Sequence, residues 1–145
     1  ISFLQAEASP LSARFRYAHW PVQNALYNPE GAPLPLQENL PVSGQFDVIW
    51  LFSVFTHLNP EDASAMLRIL RKYIAPNGKL IFTCRINNTV DGFIDRIPSQ
   101  PLLRAVFSQS LMENMIVQHG WRIDHFYQND PRDFIRNYYI CSAAP

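Results

Sequence analysis

The stretch Gln45–Asn87, QFDVIWLFSVFTHLNPEDASAMLRILRKYIAPNGKLIFTCRIN, decides the fold. Its first part, Phe46–Phe52, is almost continuously apolar, which is typical of a parallel strand covered on both faces. Asn59 is then followed by a proline and two acids, and this order predicts the start of a helix. The apolar run Lys79–Cys84 predicts the next strand. The stretch is therefore expected to form a strand-helix-strand unit.

The helix between the two strands is predicted from its apolar spacing. Met66, Leu67, Leu70 and Ile74 recur at helical intervals and should form one buried stripe. Pro76-Asn77-Gly78 has the composition of a turn. We therefore expect the helix to reach Ile74 and to end at this turn.

Upstream of the unit, three segments differ in pattern. Ile1–Ala8 has the composition of the last turns of a helix, which Ser9-Pro10 would stop. Residues Ala13–His19 alternate between polar and apolar side chains and predict a short strand. Pro21–Pro41 contains five prolines and predicts a loop without regular pairing.

Downstream, the pattern continues with one helix and two strands. Ser110–Glu113 matches a capping box, and the helix it opens should stop at His119 with Gly120 in the position after the cap. Trp121–Tyr127 and Phe134–Ser142 alternate as strands do. The alternation of elements predicts an α/β fold with a mostly parallel sheet and an antiparallel C-terminal strand.

Composition limits the class of protein. With 145 residues, 48% of them apolar, the chain is expected to be one domain with a substantial core. Twelve basic residues balance twelve acidic ones, and no basic run is present. This balance argues against a nucleic-acid partner and an anionic membrane surface, and no apolar run approaches a bilayer span. Cys84 and Cys141 lie in apolar strands, where buried reduced thiols fit a cytoplasmic protein.

Three motifs resemble class I S-adenosylmethionine-dependent methyltransferases. Phe46-Asp47-Val48-Ile49 followed by Val54-Phe55-Thr56-His57-Leu58 resembles their fourth strand and the turn after it. The stretch from Leu67 to Leu80, with its Pro-x-Gly turn, resembles the following helix and the fifth strand. Asn24–Gly31 resembles the N-x-x-Y-N-P-x-G loop that follows the third strand in one subgroup. The resemblance covers roughly residues 13–145 and implies a Rossmann-like methyltransferase sheet.

The resemblance also implies a cofactor site over the carboxyl ends of the central strands. Phe52 and Ser53 would lie under the methionine and ribose portion of S-adenosylmethionine. Pro21 and Val22 match the positions that hold the adenine. Proline offers neither a carboxylate nor an N–H, so Val22 would contribute through its backbone.

The acceptor side is implied by the residues that follow the fourth and fifth strands. Thr56 and His57 would point toward the methyl acceptor, with His57 as the candidate general base. The alternatives are a histidine that packs against the next helix and a threonine that forms the turn. Arg85 and Asn87 lie where an acceptor could bind, although a plain polar loop has the same composition. The walls of an acceptor site, for a small molecule, would be the proline-rich loop and residues 87–100.

No metal site is expected. His119 and His125 are six residues apart on either side of a glycine, and His19 is remote from both in the sequence. None of the histidine or cysteine pairs has the spacing of a metal-binding motif.

The first half of the methyltransferase pattern has no match in the chain. The five glycines lie far apart, so a glycine-rich loop after a first strand is missing, and so is the acid that ends the second strand. The resemblance therefore implies that residues 1–145 form a single partial methyltransferase domain. In the family's strand order, 3-2-1-4-5-7-6, the missing strands lie beside Phe46–Phe52. We expect that strand to be an exposed edge, which favours self-association or pairing with a partner chain.

Two functions remain open at this point. The first is the carboxyl-terminal part of a methyltransferase that lacks half of its cofactor site and is inactive alone. The second is a non-catalytic, methyltransferase-like module for protein interaction. The methyl acceptor is not specified by either pattern.

Overall fold

The structure, a computed structural model, describes residues 15–25, 27–128 and 137–145. Its centre is a four-stranded sheet with two helices, accompanied by a two-stranded hairpin and two 3-10 turns. In chain order the elements are the turn Leu34–Leu36, β1 (Phe46–Leu51), the turn Phe55–His57, α1 (Pro60–Leu70), β2 (Ile74–Cys84), β3 (Phe93–Asp95), β4 (Ala105–Phe107), α2 (Gln109–Gln118), β5 (Trp121–Tyr127) and β6 (Asn137–Ala143).

The strands of the large sheet follow the order β1-β2-β6-β5. β1 pairs with β2 in parallel, whereas β6 pairs antiparallel with both β2 and β5. It follows that β1, β2 and β5 run in one direction and β6 runs against them. The carboxyl ends of β1, β2 and β5 thus meet at one edge of the sheet, which we call the carboxyl edge. Ligands of open α/β sheets bind at such an edge.

Helix α1 begins where the sequence predicts and ends earlier. The side chain of Asn59 accepts a hydrogen bond of 2.8 Å from the backbone N–H of Asp62, which confirms the predicted cap. The helix stops at Leu70 instead of reaching Ile74. Ile74 is buried, but it is the first residue of β2. The backbone N–H of Phe46 donates to the Tyr73 carbonyl (2.8 Å), and this pairing with β1 draws the chain out of the helix.

The predicted turn Pro76-Asn77-Gly78 is an irregularity inside β2 and not the end of the helix. Phe46 pairs with Ile74 and Val48 pairs with Lys79, so β2 carries extra residues between these two pairs. A Cβ at Gly78 would lie 2.8 Å from the carbonyl oxygen of Phe46. Only glycine lets the two backbones approach this closely.

The N-cap of helix α2 lies two residues before the predicted cap, Ser110. Ser108 is the N-cap, and its hydroxyl accepts a hydrogen bond of 3.2 Å from the backbone N–H of Leu111. Ser110 lies inside the helix. Glu113 accepts from the side chain of Gln109 (2.8 Å) and does not close a capping box on Ser110. The predicted end is confirmed, since Gly120 follows the cap with φ +74°.

One further expectation differs from the structure, and one hairpin was not foreseen. Residues 15–19 form no strand, because no described neighbour offers them a ladder of hydrogen bonds. The rest of the predicted strand Ala13–His19, the predicted helix Ile1–Ala8 and residues 129–136 lie outside the described residues. The hairpin of β3 and β4 was not predicted, because three-residue strands are too short to show a periodic pattern.

Both helices pack on one face of the large sheet. The indole N–H of Trp121 donates to the carbonyl of Leu67 in α1 (3.0 Å), and Tyr139 reaches Glu113 in α2 (3.4 Å). The core formed there consists of α1, α2 and the inward-facing residues of β2, β5 and β6. Its largest fully buried side chains are Trp121, Tyr139, Phe55, Phe82, Phe107, Leu34, Leu67, Ile69, Leu80, Ile86, Met112 and Ile116.

The opposite face carries an exposed row of apolar side chains. The row consists of Phe46, Val48, Trp50 and Phe52, with exposed fractions of 39%, 55%, 64% and 53%. These alternate residues share a face because side chains alternate along a strand. In the described part of the chain, β1 pairs on one side only, with β2. The sequence predicted a strand covered on both faces, and the structure corrects this expectation.

Both cysteines are buried and unbridged. Burial raises the pKa of the Cys84 thiol well above its usual range and that of Cys141 to about 12. The thiolate forms are therefore suppressed at neutral pH. The described residues contain no group of three or more potential metal ligands. Among the same residues, no helix has both the length and the apolar character needed to cross a bilayer.

Candidate functional site

The site begins at Ser53, just after β1 at the carboxyl edge. Ser53 adopts a left-handed conformation with φ +55°, which is uncommon for a residue with a side chain. Its backbone N–H donates to the Thr83 hydroxyl in the neighbouring β2 (2.8 Å). This bond turns the chain sharply away from the sheet and leads it into the 3-10 turn Phe55–His57.

A cleft of about 240 Å³ opens beside this turn. It lies between the loop that begins at Val22 and the turn after β1, and the core residues Leu34 and Met66 also line it. Its lining is mostly apolar and consists of Val22, Gln23, Asn24, Tyr27, Leu34, Ser53, Val54, His57, Leu58 and Met66.

The outer wall of the cleft is a closed loop. The backbone N–H of Gln23 donates to the Ala32 carbonyl (2.7 Å), and the Asn28 side chain donates to the Val22 carbonyl (2.8 Å). The Val22 N–H already donates to the Trp20 carbonyl (2.9 Å). Val22 thus has no free N–H to offer a ligand, and it lines the cleft with its side chain.

Asn24 ties this loop to the turn after β1. Its side-chain NH₂ donates to the His57 carbonyl (2.9 Å), and its side-chain oxygen accepts from the Tyr27 N–H (3.1 Å). The Tyr27 ring stands edge-on to the His57 ring, with 5.3 Å between centroids. The two walls of the cleft are therefore held together by directed contacts.

The orientation of the His57 ring follows from its partner. Its Nδ1 lies 3.1 Å from the carbonyl oxygen of Leu102. A carbonyl can only accept, so Nδ1 carries the proton of this bond. In the neutral ring Nε2 then keeps its lone pair, which is the arrangement a general base requires.

The residue that orients His57 is itself strained. Leu102 has φ +61°, and Ser53 is the other non-glycine residue with positive φ in the described part of the chain. The Leu102 N–H donates to the carboxylate of Asp95 (2.7 Å), which holds the strained loop in place. Backbone strain of this kind clusters at functional sites, and here both strained residues contact the same site.

Thr56 and Arg85 are brought together next to His57, and neither belongs to the lining of the cleft. Arg85 Nη1 donates to the Thr56 carbonyl (2.8 Å). Thr56 is 1% exposed, and its hydroxyl has no hydrogen-bond partner among the described residues. It therefore points into the protein and lies outside the lining of the cleft. Burial, followed by the neighbouring charge of Arg104, lowers the pKa of Arg85.

Three other predicted site residues also lie outside the cleft. The Pro21 carbonyl accepts from the N–H of Ala32 (3.0 Å) and closes the loop. Phe52 packs on Trp50, 4.4 Å between centroids, in the exposed row. Asn87 folds back onto Thr89 through two hydrogen bonds.

The structure thus brings Val22, Ser53 and His57 together at the cleft. Sequence reasoning did not assign Asn24 and Tyr27 to the site, although both belong to the N-x-x-Y-N-P-x-G motif that it recognised. Leu102 and Asp95, which orient His57, gave no signal in the sequence.

Solved structures that resemble this chain include several methyltransferases. The O-methyltransferase of a trans-AT PKS multienzyme from Brevibacillus brevis, in complex with S-adenosyl-L-homocysteine, superposes with a TM-score of 0.66 at 12% identity and covers 99% of this chain. Magnesium protoporphyrin IX methyltransferase from Synechocystis PCC 6803, with bound S-adenosylmethionine, gives 0.54 at 14% identity and also covers 99%. A SAM-dependent methyltransferase from Leishmania major gives 0.54 at 18% identity and covers 77%.

These likenesses show that the chain has the class I methyltransferase fold, as the sequence motifs predicted. The chain spans 54%, 54% and 43% of the three proteins, respectively. No protein-family profile matches the sequence.

Proposed function

We propose that this chain is the carboxyl-terminal part of an S-adenosylmethionine-dependent methyltransferase, and that the cleft beside Ser53 is its share of the cofactor site. The observation that carries the proposal is the position of the cleft in this fold. It opens at the carboxyl edge of β1, where α/β sheets bind their ligands. The strained Ser53 lines it, and the strained Leu102 contacts His57 in its lining.

The size and lining of the cleft fit part of the cofactor. Pockets that enclose a small ligand usually measure about 300–1,000 Å³, and the cleft has about 240 Å³. An apolar lining with a few polar groups suits a ring or a thioether. The Ser53 hydroxyl makes no hydrogen bond with the described residues and is available to a polar group of the cofactor. Another part of the parent protein would supply the remaining contacts.

In the reaction, the cofactor supplies a methyl group on a sulfonium centre. The chain's own residues would position the acceptor and remove its proton, since catalysis of this transfer depends mostly on alignment. His57 Nε2 would take the proton from an oxygen, nitrogen or carbon nucleophile of a small-molecule acceptor. Leu102 keeps the ring in the required tautomer through its carbonyl.

The exposed row supports a second element of the proposal. β1 has a free edge in the described residues, and exposed edges pair readily with other strands. We propose that the missing half of the sheet covers this edge in the parent protein, and that the chain alone self-associates there. The same row also favours the alternative function, a non-catalytic module for protein interaction.

Calorimetric titration with S-adenosylhomocysteine tests the proposal. We expect weak or no binding by this chain and binding by a longer chain that includes the coding sequence upstream of Ile1. In the longer chain, Val22→Trp should fill the cleft and abolish binding. Val117→Trp, on the exposed face of α2, is the matched control and should leave binding intact. Absence of binding by both chains would contradict the proposal and favour the interaction module.

A further inference from the structure

A cluster of positive charge adjoins the cleft and is centred on Arg85. Arg85 directly follows β2 at the carboxyl edge. Its Nη1 donates to the carbonyl oxygens of Thr56 (2.8 Å) and Leu103 (3.5 Å). Its Nε and Nη2 have no partner among the described residues. The backbone therefore fixes one side of the guanidinium, while two of its nitrogens remain available.

Arg104 adds a second positive charge to this cluster. It is exposed, and it directly follows Leu103, whose carbonyl oxygen lies 3.5 Å from Arg85 Nη1. Its charge also contributes to lowering the Arg85 pKa. Neither Arg85 nor Arg104 takes part in an ion pair among the described residues. Two neighbouring cations without a carboxylate repel each other, and a bound anion would relieve that repulsion.

The nearby carboxylate of Asp95 forms no ion pair with either arginine. Asp95 lies on β3, and its carboxylate accepts from the backbone N–H groups of Ile97 (3.3 Å) and Leu102 (2.7 Å). It is therefore occupied in holding the loop that orients His57. The same loop carries Leu102, whose carbonyl accepts from His57, and the exposed Arg104.

Tyr27 connects the cluster to the cleft. Its ring contacts His57 edge-on, and Arg85 donates to the carbonyl of Thr56, the residue that precedes His57. Arg85 therefore lies on the His57 side of the cleft, the side proposed for the acceptor. A guanidinium presents its N–H groups in a planar fork, which matches the oxygens of a carboxylate or a phosphate.

We propose that Arg85 and Arg104 bind an anionic group, a carboxylate or a phosphate, on the methyl acceptor. This subsite would hold the acceptor so that its nucleophile faces His57. The assignment of the anion to the acceptor rests on the proposed function. Anion binding itself can be measured without cofactor or acceptor, so the two proposals can fail separately.

The test is an NMR titration of the ¹⁵N-labelled chain with sodium phosphate and, separately, sodium acetate. Ionic strength is held constant with sodium chloride. We expect saturable shifts of the Arg85 Nε–H resonance with at least one anion, and the comparison shows whether phosphate or carboxylate binds better. Arg104→Gln, which removes no hydrogen bond of the fold, should weaken binding about tenfold. Arg122→Gln removes an equal charge near the amino end of β5, at the opposite edge, and should change affinity less than about twofold.

Arg85→Lys keeps the charge but loses the fork and should also weaken binding. Shifts that follow only sodium chloride would overturn the proposal, as would equal weakening by Arg104→Gln and Arg122→Gln. Unchanged binding in both Arg104→Gln and Arg85→Lys would overturn it too. If anion binding fails while S-adenosylhomocysteine still binds the longer chain, only the acceptor subsite is rejected.

Discussion

The hydroxyl of Thr83 accepts a 2.8 Å hydrogen bond from the backbone N–H of Ser53. The bond joins the ends of two parallel strands, and it stabilises the left-handed turn of Ser53 (φ +55°). The candidate site starts at this turn. A contact between two strands of the scaffold therefore determines where the chain leaves the sheet and how the cleft is shaped.

Thr83→Val should destabilise the chain by about 0.5–1.5 kcal/mol, because the Ser53 N–H would lose its acceptor while the side-chain volume stays nearly the same. Unfolding in urea, followed by circular dichroism, measures the change in free energy. Thr83→Ser is the control: it keeps the hydroxyl and should cost less. An equal decrease of the free energy of unfolding in the two variants would show that the hydrogen bond does not contribute to stability.

Asp95→Ala should release the strained Leu102 and disturb the tautomer of His57. The wild-type ring carries its proton on Nδ1, because the Leu102 carbonyl accepts from it. Without the Asp95 carboxylate, which accepts the Leu102 N–H, we expect a mixture of both tautomers. The ¹⁵N shifts of the imidazole distinguish the two forms. A single Nδ1–H tautomer in both proteins would refute the positioning role of Asp95.

Val48→Lys should suppress self-association of the chain. Val48 is 55% exposed in the middle of the exposed row, and a charge on an edge strand opposes pairing with another strand. Light scattering over a range of concentrations should show a smaller mass for the variant than for the wild type. Val117→Lys, at a residue that is 62% exposed on α2, should associate as the wild type does. A monodisperse wild-type monomer would contradict the prediction.

The stability of the fold should fall in acid partly through Asp124. This carboxylate accepts from Lys79 (2.7 Å) and from the Ser142 hydroxyl. These hydrogen bonds, followed by one from Arg122, hold the pKa of Asp124 well below its usual range. The unfolded chain therefore binds the proton more readily, and the stabilisation is present above about pH 4 and lost as the pH falls further.

Asp124→Asn should remove this part of the pH dependence, and free energies of unfolding measured at a series of pH values below about 4 reveal it. Lys79→Met should flatten the same slope, because loss of the ammonium raises the Asp124 pKa. Wild-type and Asp124→Asn curves that run parallel in this range would rule out the linkage.

The thiols of Cys84 and Cys141 should resist alkylation in the folded chain. Both are buried, and burial raises their pKa values, so little reactive thiolate forms near neutral pH. Iodoacetamide labelling at about pH 8, read by mass spectrometry, should be slow in buffer and rapid in urea. Rapid labelling of the folded chain would show that this part of the core opens readily.

Several elements of the fold could be predicted from local sequence. β5 was predicted at its observed limits, Trp121–Tyr127, and the Asn59 cap was located correctly, because both depend on neighbours along the chain. The predicted end of α1 was wrong, because the N–H of Phe46, which is distant in sequence, donates to the Tyr73 carbonyl. Ser108 and Ser110 are equally good caps by composition, and only packing distinguishes them.

The candidate site was predicted less completely. Ser53 and His57 were identified because they directly follow a strand whose pattern resembles a known family. Leu102 and Asp95 could not be found in this way. They reach the site through the short hairpin of β3 and β4, which has no periodic signature.

Asn24, His57 and Leu102 form a chain of hydrogen bonds whose partners are 33 and 45 residues apart. Closing a long loop costs conformational entropy before the contact at its ends contributes stabilising free energy. Contacts between residues that are distant in sequence therefore tend to form late in folding. The sheet and its helices can consequently assemble before these hydrogen bonds join the two walls of the cleft. We expect refolding to restore secondary structure first and the edge-on contact of Tyr27 with His57 last. Ligand binding would then be a stricter measure of complete folding than helix content, because binding requires the contacts that form last.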